Sequence, residues 1–358
     1  MRIVFFQSGL GAGGAEKNIA AIATHRAALG DDVHIVSMTA PRGGAYFDVP
    51  DTVTTHVMPA RGRVPLQLRR LRYVRRMMRT LAPDLVISFL TKINVLTLLA
   101  MPERRFPIIA SERNNPRAQR NNRLWKHLNL FALGRADRIV MLTEAALAEL
   151  PRTLRDRAEV IYVPCPPAAG ARYANTGGKR VVAVGRLDGQ KGFDLLIAAF
   201  AAVHRDHPDA SLTIFGEGQE RARLERMVAE AGLGAAVTLP GVTAARGAWI
   251  GEGDIFVFSS RHEGFGNALA EATAAGMPSI SFDCEFGPAE IITHGETGLL
   301  VPPEDTDALA RAISGLLADP AQQARLSAAA RERNAKRFDP ETILGQWDAV
   351  IASTTRRR

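Results

Sequence analysis

Cysteine is nearly absent from this chain: two in 358 residues, Cys165 and Cys284. Two thiols cannot build the disulfide framework of a small secreted domain, and their scarcity fits a reducing cytoplasm. They stand 119 positions apart and make no zinc-ligand pair, and the eight histidines form no cluster with ligand spacing. Long apolar runs are missing too. None approaches the ~18 residues of a membrane span. The opening IVFF runs into glycines after four residues, too short for the apolar core of a secretory signal.

What the chain does have is length and alternation. With 46% of its residues hydrophobic it can fill two sizeable cores. Strand-like and helix-like stretches alternate from residue 2 to residue 335, the pattern of two α/β domains. Between them runs PCPPAAGARYANTGG, Pro164 to Gly178, whose proline, glycine and alanine read as a hinge. The domains are therefore expected over residues 1–168 and 176–339, with ETILGQWDAVIAS as a last helix within 340–358.

The densest chemistry lies in Ser260 to Ile292, SRHEGFGNALAEATAAGMPSISFDCEFGPAEII, with Ser259 before it. Gly264 and Gly266 let the backbone approach a ligand more closely than a side chain allows. The helix they open, from about Asn267, aims free N–H groups and a partial positive charge at a bound phosphate. Glu271 falls one turn into that helix, where its carboxylate can accept from the two vicinal hydroxyls of a ribose. Glu263 sits in the loop before it. The plainer alternative is a capped surface helix with two solvated acids. A second stretch, VVAVGRLDGQKGFD, reads as a buried strand ending at Gly185, then a loop with Arg186 and Lys191, then a helix from near Gly192. An Arg fork and a Lys point charge in one such loop can converge on a diphosphate. Gly216 and Gly218 follow the next strand, SLTIF, and mark another tight turn at the same sheet edge.

Two competing motifs carry less. Gly9, Gly11 and Gly14 match G-x-G-x-x-G after the strand RIVFF, the fingerprint of a dinucleotide-binding oxidoreductase. That fold wants an acid at the end of its second strand to hold the ribose; here DVHIVS ends in Ser37, Met38 and Thr39. Asp305, Thr306 and Asp307 form an Asp-x-Asp, but PPEDTDALARAI is a helix start, where Asp serves as a cap rather than a metal ligand.

Together the segments resemble the retaining glycosyltransferases of family four, over essentially the whole chain. The likeness rests on GGAE at Gly13 to Glu16, ISF at Ile87 to Phe89, SERNNP at Ser111 to Pro116, VGRL and QKGFD within 184–194, the Glu263 and Glu271 pair, and FDCEFGPAEII. Within that family, SERNNP and the FDC segment look most like the amylovoran-type enzymes and the N-acetylgalactosaminyltransferases that extend lipid-linked glycans. The resemblance implies GT-B architecture, two facing Rossmann-like domains with parallel sheets and an interdomain cleft, the last helix packing back on the first domain. It also implies roles. Arg186 and Lys191 neutralise the donor diphosphate, Glu271 binds the ribose, and Glu263 contacts the donor sugar. Backbone groups at Gly185, Gly264, Phe265, Gly266 and Asn267 complete the phosphate cradle, with Gly216 and Gly218 beside it and Gly13 and Gly14 closing it from the first domain. The implied substrate is a nucleotide sugar, UDP-linked in preference to GDP-linked, used without a metal. Retention by same-face attack is ranked above a covalent double displacement. An epimerase acting on UDP-N-acetylglucosamine and a catalytically silent glycan-binding relative are the alternatives. The chain departs from the family pattern at Gly266, where proline is common, at Cys165, where an asparagine is expected, and in the loop holding His294 and Glu296.

Charge is divided unevenly. Residues 1–175 hold 26 Lys and Arg against 13 Asp and Glu, while residues 176–358 hold 19 against 24. Much of the excess lies in RGRVPLQLRRLRYVRRMMRTL, where at ~100° per residue Arg69, Arg72, Arg75, Arg76 and Arg79 share one third of a helix and Leu66, Leu71, Val74, Met77, Met78 and Leu81 lie opposite. Such a face is either solvated or a contact for anionic headgroups and for the diphosphate of a polyprenyl-linked acceptor. Arg113 of SERNNP joins these as an acceptor-side or membrane contact. Only Tyr73 interleaves with the arginines and no nucleic-acid motif is present, which argues against nucleic acid. The expected location is the cytoplasm, peripheral on the inner face of the membrane.

Overall fold

In a computed structural model the chain forms two compact units, Met1–Pro164 with Glu341–Arg358, and Cys165–Pro340. The structure describes all residues except 12, 42–43, 61–64, 101–105, 114, 116–122, 166–172, 175, 244, 246 and 357–358, and the side chains of 123–126. Much of the hinge segment, the start of the arginine-rich segment, and Asn114 and Pro116 of SERNNP thus lie outside the described residues.

Unit 1 holds seven strands, β1 (Arg2–Gln7), β2 (Asp32–Ser37), β3 (Val53–Val57), β4 (Leu85–Phe89), β5 (Ile108–Glu112), β6 (Arg138–Met141) and β7 (Ala158–Val160). They lie in the order β3-β2-β1-β4-β5-β6-β7, every pairing parallel. Unit 2 holds β8 (Arg180–Val184), β9 (Ser211–Phe215), β10 (Val237–Gly241), β11 (Ile255–Phe258), β12 (Ser279–Phe282) and β13 (Leu299–Val301), in the order β10-β9-β8-β11-β12-β13, again all parallel. Parallel strands need crossover helices that cover both faces, which explains why β4, β5, β11 and β12 are buried along their whole length, including the polar Ser88, Ser111, Glu112, Ser279 and Ser281. Both units are Rossmann-like. In each, the strand order reverses at one point, between β1 and β4 and between β8 and β11, the place where open α/β sheets bind ligands at the carboxyl ends of their strands.

The core of unit 1 packs Ile3, Phe5, Ile87 and Phe89 against Ile343 and Trp347 of the helix Pro340–Thr355. Trp347 stacks on Phe89 with ring centroids 5.8 Å apart. The same helix is tied to the helix Gly14–Ala28 by Asp348, which accepts from His25 Nε2 at 2.8 Å and from Arg26 Nη1 at 2.7 Å. In unit 2, Asp254 has a fully buried carboxylate that accepts from Arg180 N and Nε, Arg180 Nη2 and Thr176 Oγ1. Burial alone raises its pKa, but these donors hold it below the usual carboxylate range.

Candidate functional site

The loops after β8 and β11 meet at the switch point of unit 2. After β8, Asp188 caps a single 3-10 turn, Gly189–Lys191, its carboxylate accepting from Lys191 N at 3.3 Å. Gly192 then takes φ 62° and starts the helix Phe193–Asp206. A Cβ at Gly192 would stand 2.1 Å from the Ser259 carbonyl oxygen, so only glycine fits between the two loops. Three hydrogen bonds close that seam: Ser259 Oγ donates to Lys191 O (2.9 Å), Arg261 N to Gln190 O (2.8 Å), and Gln190 Nε2 to His262 O (2.9 Å). Arg261 also forks onto both oxygens of Asp194 at 2.9 Å and reaches Glu304 at 3.0 Å. Burial would lift the Asp194 carboxyl, yet the Arg261 fork keeps it below its ordinary value.

Inside the seam, Lys191 Nζ lies 2.5 Å from Glu263 Oε1 and 5.3 Å from the centre of the Phe258 ring. Both partners are screened from water, with side-chain exposures of 17% for Lys191 and 9% for Glu263. Gly185 makes room for the lysine stem; a Cβ there would press on Lys191 Cγ and Cδ at 3.2 Å. Beside the pair, Cys284 is buried, and burial first, then the Glu263 charge, pushes its thiol up to about 12. Downstream, Gly266 takes φ 105° and opens the helix Asn267–Ala275, with Glu271 half-buried one turn inside it. Gly287, at φ 107°, lets the 286–288 turn press on the loop: its Cβ would overlap the Phe265 carbonyl oxygen at 1.7 Å.

The expected residues are therefore distributed as follows. Lys191, Glu263, Gly185, Gly264, Phe265, Gly266, Asn267 and Glu271 lie along the two facing loops and the helix they open. Gly216 and Gly218 serve backbone proximity rather than a free turn. At Gly216, φ 141°, a Cβ would overlap Gly185 O at 1.8 Å, and at Gly218 one would meet Leu187 O at 2.3 Å. Arg186 does not converge with Lys191 on a common point. It is 73% exposed and faces Asp188 Oδ2 at 3.2 Å and Gln190 Oε1 at 3.4 Å. Asp305 caps the helix Thr306–Ala318, accepting from Ala308 N at 2.8 Å. Residues not singled out in the sequence are Arg261, Phe258, Cys284 and Asp188. Only Asp188 left a local signal there, an N-cap residue three before the lysine.

Gly13 and Gly14 stand in unit 1, at the start of the helix Gly14–Ala28, with Gly13 over the Glu16 carboxyl, which burial pushes above its ordinary pKa. Arg113 is interior, 8% exposed, apart from the arginine face with which it was grouped. Its guanidinium stacks over Phe89 and Trp347 (5.2 and 5.7 Å) and donates to Ser111 Oγ and Ile161 O; burial lowers its pKa to about 9. On the helix Leu66–Leu81, Arg72, Arg76 and Arg79 are exposed, while Arg69 and Arg75 are half-buried and donate to Pro59 O and Ala100 O. Val74, Met77, Met78 and Leu81 are buried as the periodicity predicts and Leu71 is half-buried, but Leu66 is 47% exposed, and Tyr73, expected among the arginines, is buried. Among the described residues no helix is long and apolar enough to cross a membrane.

Two family models divide the chain between them. One, described as glycosyl transferase 4-like domain, matches residues 13–166, and the other, glycosyl transferases group 1, matches residues 171–333. On a fold of two Rossmann-like units, these matches make the chain a GT-B glycosyltransferase of the family-four type. Among curated proteins it is 36% identical over 225 residues to an exopolysaccharide phosphotransferase of Streptomyces coelicolor, covering 62% of this chain and 24% of that one. It is 33% identical over 173 residues to the lipopolysaccharide core biosynthesis glycosyltransferase LpsE of Rhizobium meliloti, covering 48% of this chain and 49% of that one. The chain thus spans about a quarter and about half of these relatives. Among solved structures, sucrose-phosphate synthase from Thermosynechococcus elongatus shares the fold with TM-score 0.87 and 21% identity, all of each chain being covered. HepE from Anabaena, solved with UDP and glucose, gives TM-score 0.80 and 19% identity over 99% of this chain and 100% of that one.

Proposed function

We propose that the protein transfers a hexose or N-acetylhexosamine from a UDP-linked donor to a lipid-linked or cell-surface glycan, with retention at the anomeric carbon and without a metal. The observation that carries the reading is the meeting of Lys191 and Glu263 at the switch point of unit 2, between a glycine-fitted loop and a helix opened at Gly266. A nucleoside diphosphate laid against that edge has its phosphates before the N–H groups of the helix Asn267–Ala275 and within reach of Lys191. Lys191 neutralises the charge that develops on the leaving diphosphate. Arg186, exposed and held by surface contacts with Asp188 and Gln190, redirects to the same phosphates at little cost. Glu271 accepts from the ribose hydroxyls and Glu263 from those of the sugar. The departing diphosphate then shares a face with the incoming hydroxyl, which gives retention.

The relatives named for exopolysaccharide and lipopolysaccharide synthesis support a glycan acceptor, and HepE's UDP complex supports a uridine donor. The phosphotransferase name does not carry over, since the match covers a quarter of that protein. SERNNP and FDCEFGPAEII favour the amylovoran-type subgroup. The exposed face of Arg72, Arg76 and Arg79, with the exposed Leu68 beside it, suits contact with anionic headgroups or a polyprenyl diphosphate on the cytoplasmic side of the membrane.

The test is transfer from radiolabelled UDP- and GDP-sugars to membrane lipid extracts in EDTA. Lys191→Ala is expected to lower transfer at least ~100-fold with the fold intact, the scale of losing one preorganised electrostatic donor. Transfer from UDP-sugars that survives Lys191→Ala places the donor elsewhere, and transfer from GDP-sugars alone replaces uridine with guanosine.

A further inference from the structure

We infer that the Lys191–Glu263 ion pair makes the site discriminate between an intact sugar nucleotide and the bare nucleoside diphosphate; this rests on the donor-site reading above. The geometry leaves the lysine little freedom except at its tip. Its N–H is capped by Asp188, its carbonyl is held by Ser259 Oγ, and its stem runs between Gly185 and the face of Phe258. Nζ has one carboxylate against it, at 2.5 Å. To reach a diphosphate, Nζ must turn away from Glu263.

That turn strands a carboxylate that is only 9% exposed. Left without its cation and next to a polyanion, Glu263 loses a close ion pair and gains like-charge repulsion, and both effects are magnified where water is scarce. The neighbouring Cys284 thiol, driven up by burial, stays neutral and adds no further negative charge. Donor sugar hydroxyls do supply one kind of compensation: they donate charge-assisted hydrogen bonds to Glu263 as the lysine leaves it. A bare nucleoside diphosphate brings no such donors. The pair therefore opposes the product nucleotide more than the donor. Once the sugar has been transferred, Glu263 recaptures Lys191 and loosens the diphosphate. Glu263 acts here as a specificity-determining residue, in addition to any contact with the reacting sugar.

The experiment is calorimetric titration of the full chain with UDP and UDP-glucose, and in parallel GDP and GDP-mannose, for wild type, Glu263→Gln, Lys191→Ala and the double variant. Glu263→Ala, checked by circular dichroism, stands in if the glutamine variant misfolds. Glu263→Gln is expected to bind the bare diphosphate about tenfold more tightly than wild type, the scale of freeing one close charge pair. Its gain for the sugar nucleotide is expected to be smaller, so the ratio of the two affinities shrinks. In the Lys191→Ala background the same change should shift diphosphate affinity less than about twofold. The inference is overturned if Glu263→Gln binds the bare diphosphate no more tightly, or if the gain is as large without Lys191. Wild type that binds none of the four ligands instead refutes the donor-site reading, and this inference with it.

Discussion

Replacing Gly192 with alanine tests the seam between the β8 and β11 loops. The residue has φ 62°, a region that costs an L side chain about 1–2 kcal/mol. The new Cβ would also stand 2.1 Å from Ser259 O, where real contacts rarely fall below 3.0 Å, so the β11 loop must retreat by nearly 1 Å. That retreat strains the bonds from Ser259 Oγ to Lys191 O and from Arg261 N to Gln190 O, each contributing about 1 kcal/mol. The total is about 3–4 kcal/mol of local stability. Lys191 and Glu263 belong to the two loops that part, so transfer should fall about 100-fold, the scale of a 1 Å misplacement. Gly189→Ala is the matched control, since a Cβ there has nothing within 4 Å. Urea unfolding and initial transfer rates of both variants would be measured side by side. If Gly192→Ala matches Gly189→Ala in both, the seam does not position the site and the reasoning is refuted.

Two further outcomes follow from unit 1. Burial raises the pKa of Asp348, but His25 and Arg26 outweigh it and hold the carboxyl below its usual value. A depressed folded pKa means the contribution is complete above the unfolded value of about 4 and fades as pH falls through the folded one. Asp348→Asn should therefore lower the urea midpoint at pH 7, with the two proteins converging as the solution is acidified; a constant gap down to pH 2 would contradict this. Changing Arg72 and Arg76 together to Glu should reduce recovery on vesicles containing anionic lipid by at least ~30-fold, at about 1 kcal/mol per arginine. Unchanged recovery would mean the face is merely solvated.

The legible parts of the site were those whose cause is local. The helix opening at Gly266, the placing of Glu271 one turn later and the loop bearing Lys191 all follow from glycine, charge and period within a dozen residues. The buried stripe Val74, Met77, Met78 and Leu81 followed from the 3.6-residue period in the same way. What stayed hidden depends on neighbours distant in sequence. Lys191 finds Glu263 because β8 and β11 are adjacent at the point where strand order reverses, and no periodicity encodes that pairing. Arg186, five residues before Lys191, turns outward because Asp188 takes both the capping position and the arginine's charge. By sequence Arg113 groups with the acceptor-side or membrane arginines, whereas it is buried against Phe89 and an aromatic partner contributed by the last helix, Trp347. Glycines 216 and 218 read as turn formers, whereas their necessity lies in the carbonyls of Gly185 and Leu187 across the sheet.

The most direct test of the central claim is hydrogen–deuterium exchange of the full chain with and without saturating UDP, in EDTA. The account predicts slower exchange in peptides spanning residues 185–192 and 259–271, the two loops and the helix start that would cradle the diphosphate and ribose. Binding of UDP with protection confined to other segments, leaving these two unchanged, would contradict it.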